Sequence, residues 1–162
     1  MYYKSGDFDL SVGREEIIIL IHYASLIDAL LAEKLYYACE TEYIYLSDHK
    51  LPVDEITYED SHQPYWDILS LRLIQDFIVK QLIPALEAEP VNDIIEILGG
   101  WEKLKKDIGQ NGFHKNRLGL ISPQEEIFDE LFNYIYYCTA LADMISNALA
   151  VNHPYNIDYS DS

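Results

Sequence analysis

The chain has 162 residues, of which 49% are hydrophobic, and a formal net charge of −17 from 28 Asp and Glu against 11 Lys and Arg. That length is one domain's worth and can bury roughly 70% of the surface its unfolded form exposes. The apolar content excludes a disordered protein, and the charge repels nucleic acid and anionic membranes while attracting cationic surfaces.

Met1 to Ser11 is polar, without a cationic leader before an apolar run, so no secretory signal is expected. Residues 1–10 read as a polar arm. Ser11 is a candidate helix cap, with Glu15 and Glu16 near the positive end of the helix dipole. The helix is expected to run to Cys39. Ile17, Leu20, Ile21, Ala24, Ile27, Leu31, Leu35 and Ala38 form one apolar face, and Ile19, Tyr23, Leu26, Leu30 and Tyr37 a second. Two apolar faces predict a central helix packed on more than one side. The apolar run Ile17 to Leu31 is broken by His22, Ser25 and Asp28 and is shorter than the ~20 residues of a membrane span. A soluble cytoplasmic protein is the expectation.

Residues 40–63 differ in character. Glu40, Glu42, Asp48, Asp54, Glu55, Glu59 and Asp60 face a single base, Lys50, and Tyr43, Tyr45 and Tyr58 are interleaved with them. Pro52 interrupts any helix, so a long connection is predicted, of the kind that is often functional. Pro64 suits the first turn of a second helix through Trp66, Leu69, Leu73, Ile74, Phe77, Ile78 and Leu82, which Pro84 should end or kink. Pro90 opens a shorter helix, Val91 to Leu98, closed by Gly99 and Gly100; another short helix spans Trp101 to Ile108.

Residues 109–121 are Gly-rich. Lys103, Lys105, Lys106, Lys115 and Arg117 make the 101–118 region locally basic. Ser122-Pro123-Gln124-Glu125 has the form of a capping box and predicts the start of the last long helix. Its core stripe is Ile127, Leu131, Ile135, Cys138, Leu141, Ala142, Ile145 and Leu149. Residues 152–162 read as a mobile acidic tail. The sum is one all-α domain over 1–162: an irregular helical bundle of three long helices plus two or three short ones.

Motifs for chemistry are sparse. Cys39 and Cys138 set no disulfide framework or zinc ribbon and read as buried free thiols in a reducing cytosol. Glu59 and His62 have the Glu-x-x-His spacing of di-iron bundles, but such sites need that motif twice plus two further Glu. Phosphate-loop and nucleophile-elbow patterns do not occur. No metal, no cofactor and no enzymatic activity are expected. The alternative is a helical ligand-binding protein or enzyme whose pocket lies between the long helices near His22, Asp28 and Asp143.

The acidic, Tyr-rich segments remain. Tyr supplies large contact area at low entropy cost, and adjacent carboxylates can pair with the Lys and Arg of a cationic partner. The expected partner-binding residues are Glu40, Glu42, Tyr43, Tyr45, Asp54, Glu55, Tyr58, Glu59, Asp60 and Tyr65. In stretches such as Glu40-Thr41-Glu42-Tyr43-Ile44-Tyr45 and Thr57-Tyr58-Glu59-Asp60, this small acidic domain resembles bacterial toxin-immunity proteins. That resemblance is one of character and carries over no binding position. It implies an antidote-type inhibitor that acts in bacterial competition by neutralising a basic protein, a nuclease toxin above all, with no nucleic acid or membrane as partner. Exposed Tyr residues would serve a homodimer equally well.

Overall fold

Helix α1 (Arg14–Ile27) carries the most apolar stretch of the chain, and every residue from Ile17 to Ala24 is buried. The Ile-rich run Ile17 to Ile21 is helical because a helix satisfies its own backbone polar groups wherever it is buried. The computed structural model describes residues 2–5, 8–39, 68–110, 127–150 and 156–158.

The single helix expected from Ser11 to Cys39 is two. Ser11 lies in a strand, and the residue that precedes α1 as its cap is Gly13. The Glu16 carboxylate folds back against Gly13 and occupies the space a Cβ there would take. The second break falls at Asp28, which is extended (φ −149°, ψ 108°) and separates α1 from α2 (Ala29–Cys39). Its N–H donates to the Ala24 carbonyl at 3.0 Å, and its carbonyl accepts from Ala32 at 2.9 Å. Its Oδ1 accepts the N–H groups of Leu30 and Leu31, each at 3.0 Å. One aspartate therefore closes one helix and caps the next.

Helix α3 (Ile68–Phe77) passes without interruption into a π-helical turn (Ile78–Leu82) and then α4 (Ile83–Glu87). Pro84 does not end this helix. Proline lacks an N–H and crowds the carbonyl four residues back. The widened turn, in which the Ile83 N–H reaches the Ile78 carbonyl, accommodates it.

The helix expected over Val91 to Leu98 shortens to α5 (Ile94–Ile97) because Asp93 caps it, accepting from Ile95 at 2.8 Å and Glu96 at 3.0 Å. Gly100 donates to Ile95 and Gly99 to Glu96, the paired bonds of a Schellman closure, with φ of 89° at Gly99 and 91° at Gly100. Helix α6 (Trp101–Gln110) follows, and α7 (Leu131–Ala150) is the longest element described.

The fold is all-α, an irregular bundle. Helix α7 packs along α3, the π turn and α4, and α2 lies against α3. Leu35, Leu71, Ile74, Phe77 and Tyr134 are fully buried where these helices meet. The Gln75 amide crosses from α3 to the Ala142 carbonyl at 3.3 Å and to the Ser146 hydroxyl of α7. Of the stripe read on α7, Leu131, Cys138, Leu141, Ala142 and Ile145 are buried, and Ile127, Ile135 and Leu149 pack at its edge.

The chain ends add a small antiparallel sheet to this helical body. Strands β1 (Tyr2–Ser5), β2 (Phe8–Ser11) and β3 (Asn156–Asp158) stand in the order β2-β1-β3, with Tyr3 opposite both Leu10 and Ile157. The regions expected as a polar arm and a mobile tail thus contribute strands that pair with each other, and the sheet rests on α7. No described helix is long and apolar enough to cross a membrane.

Candidate functional site: an aromatic and carboxylate face at the start of α7

The last helix starts later than the capping box at Ser122 predicts. Residues 122–126 lie outside the described residues, and 127–130 are not helical. Their backbone groups are held by other parts of the chain. The Phe128 N–H donates to Glu16 of α1 at 3.4 Å. The Phe128 carbonyl accepts from the Tyr134 hydroxyl at 2.8 Å, and the Asp129 carbonyl accepts from Ile94 at 2.9 Å. In return, the Asn92 carbonyl and side chain accept from Leu131 at 3.4 Å and Phe132 at 3.3 Å. These partners satisfy orphan N–H groups of α7's first turn, so the helix begins at Leu131.

This junction gathers acid and aromatic groups. Burial is the main cause that pushes the Tyr134 hydroxyl far above the usual tyrosine range, and the negative charges of Glu16, Asp129 and Asp93 add to it. Tyr134 therefore stays a neutral donor to Phe128. Tyr137 stacks edge-on to Tyr134 with ring centres 6.1 Å apart, and Tyr136 edge-on to Tyr137 at 6.0 Å. A series of rings runs from the buried interior to the surface.

At the surface end, Phe128, Phe132 and Tyr136 are spaced four residues apart and are 58%, 56% and 62% exposed. Asp129, Glu130 and Asp143 are exposed as well. On α7, residues 132, 136, 139 and 143 share one side of the helix, opposite the core stripe. On α7, Phe132 and Tyr136 therefore stand on one side with Asp143 two turns further along, and Phe128, Asp129 and Glu130 are exposed in the hydrogen-bonded segment just before the helix. Such a surface can stack on and pair with Arg and Lys side chains.

The ten partner-binding residues expected from the sequence, Glu40, Glu42, Tyr43, Tyr45, Asp54, Glu55, Tyr58, Glu59, Asp60 and Tyr65, lie outside the described residues, as do Glu59 and His62 of the Glu-x-x-His pattern. The alternative pocket residues occupy separate settings. Asp28 is a helix cap, Asp143 is exposed on α7, and His22 is buried in α1. Burial pushes the His22 imidazole below its ordinary 6.5; Asp107 opposes that shift and Lys103 adds to it, so α6 supplies the charges around it. Lys103 donates to Asp107 within α6, and this bond holds the Asp107 carboxyl below the usual range. Part of the basic stretch thus pairs with the protein's own acid. An apolar void of about 10 Å³ lies among Leu10, Val12, Ile17, Leu20, Leu35, Tyr137 and Leu141. It has room for about one water, whereas metabolite pockets run to roughly 300–1,000 Å³. Burial pushes the Cys138 thiol up to about 12, so it is an inert core group. Among the described residues, His, Cys, Asp and Glu do not gather in a metal-holding group of three.

The Phe128, Phe132 and Tyr136 spacing is present in the sequence, hidden beside the stronger stripe of Ile127, Leu131 and Ile135. Compared with protein-family models, curated proteins and solved structures, the chain matches none.

Proposed function

We propose that this chain is an antidote-type inhibitor: it binds and neutralises a basic protein partner in the cytoplasm, a bacterial nuclease toxin being the partner that suits it best, and it performs no catalysis of its own. The observation that carries this reading is the exposure of Phe128, Phe132 and Tyr136 together with Asp129, Glu130 and Asp143 on and just before α7, on a chain of net charge −17. Aromatic anchors with acidic neighbours match the hot-spot chemistry that captures Arg and Lys, and the net charge accelerates encounter with a cation.

The test is co-expression with the product of an adjacent gene that is toxic when expressed alone. The chain should restore growth. Toxicity undiminished in its presence would sink the reading. Reversing Glu42, Asp54, Glu59 and Asp60 to Lys asks whether the 40–67 segment shares in binding: the variant should stay folded and lose protection, and full protection would remove those residues from the interface.

A further inference from the structure

Helix α3 carries a second exposed apolar group, on the side away from α7. Leu69 is 67% exposed and Leu73 44%, although the sequence places both in the same run as the buried Ile74, Phe77, Ile78 and Leu82. Single exposed aliphatics are ordinary. Here two stand one turn apart on one side of α3, beside exposed charges of alternating sign: Arg72 and Asp76 on α3 and Lys80 in the π turn. Asp76 meets Lys80 at 3.0 Å on the surface, where such a pair contributes little. Arg72 has no acidic partner among the described residues.

We infer that this face of α3 is a two-fold self-association surface, with a second copy of the chain as its occupant. The pattern of charges on this face is self-complementary. Two antiparallel copies of α3 crossing at the level of Ile74 place Arg72 of each copy level with Asp76 of the other, because the two residues lie equally far on either side of that level. The same crossing brings the two Leu73 side chains within about one residue rise, ~1.5 Å, of the axis. An isologous contact has this property: one patch supplies both halves of each pair. A basic partner would instead require an acidic face, and the α3 face holds two cations and one anion. The long-range repulsion between two chains of −17 is screened beyond about 8 Å at physiological salt, so it weakens the contact without forbidding it. This inference is independent of the antidote reading, which uses α7.

Sedimentation equilibrium of the purified full chain at about 0.15 M salt tests it, with no other protein present. The wild-type mass should climb from 18.8 kDa toward twice that value as concentration rises to about 1 mM. Leu69→Ser/Leu73→Ser should remain at the single-chain mass, with circular dichroism reporting an intact helical fold. Arg72→Asp and Asp76→Arg should each weaken association about tenfold, and the double reversal should restore it. A wild-type mass fixed at 18.8 kDa over that range overturns the inference. So does a double reversal that associates no better than the single ones.

Discussion

Asp28 shows how one side chain sets a helix boundary. The apolar periodicity of Ile17 to Leu35 runs straight through it, so the sequence predicts one long helix. The carboxylate wins locally because it offers two amide groups an acceptor that a continuous helix would leave to its own carbonyls. Asp28→Ala should cost about 1 kcal/mol in urea unfolding, and Asp28→Asn, an equally good cap, a few tenths at most. Equal losses in the two variants would mean that charge, not capping geometry, matters there. Among the described residues, His22 is a group whose protonation folding opposes, since burial depresses its affinity for a proton. Below the ordinary value of 6.5 the unfolded chain binds a proton that the folded chain resists, so stability is full above that pH and falls as pH drops through it toward the folded value. Replacing His22 by Gln should flatten the stability profile between about pH 7 and 5 relative to wild type. A profile that falls just as steeply in the variant would assign the acid sensitivity to other groups.

At the scale of elements, what was legible depended on whether a boundary is set within the element or by a distant partner. The core stripe of α7 and the Gly99-Gly100 closure follow from local pattern and are found where the residues imply. The start of α7 does not, because Glu16, Asn92 and Ile94 hold the preceding residues from far along the chain. Strands of three or four residues are too short to display sustained alternation, although Gly6-Asp7 between two short runs is itself a hairpin signal. The exposure of Leu69 and Leu73 was hidden for a related reason: hydropathy marks apolar residues without saying which side of α3 the bundle covers. Gly100 offers a clean test of the α5 closure. A Cβ there meets nothing within 4 Å, so Gly100→Ala carries only the backbone strain of φ 91°. It should lower stability by roughly 1 kcal/mol in a denaturant melt. An unchanged midpoint would mean that the turn relaxes to another conformation.

For the whole molecule, the sequence implies an acidic, aromatic binding surface in residues 40–67, where composition is most skewed, and those residues lie outside the described ones. Among the described residues, aromatic and acidic side chains are also exposed at and just before the start of α7, where tertiary hydrogen bonds that composition does not encode hold the chain. The most direct test is a calorimetric titration of the proposed partner, the purified product of an adjacent gene that is toxic when expressed alone, into wild type and into a variant combining Asp129→Lys, Glu130→Lys, Phe132→Ala and Tyr136→Ala. All four residues replaced are at the surface, so the variant should remain folded. We expect saturable binding to wild type and an affinity at least about a hundredfold lower for the variant, the loss of a hot spot worth upwards of about 2.7 kcal/mol. Equal affinities for the two proteins would contradict the assignment of the binding surface to α7.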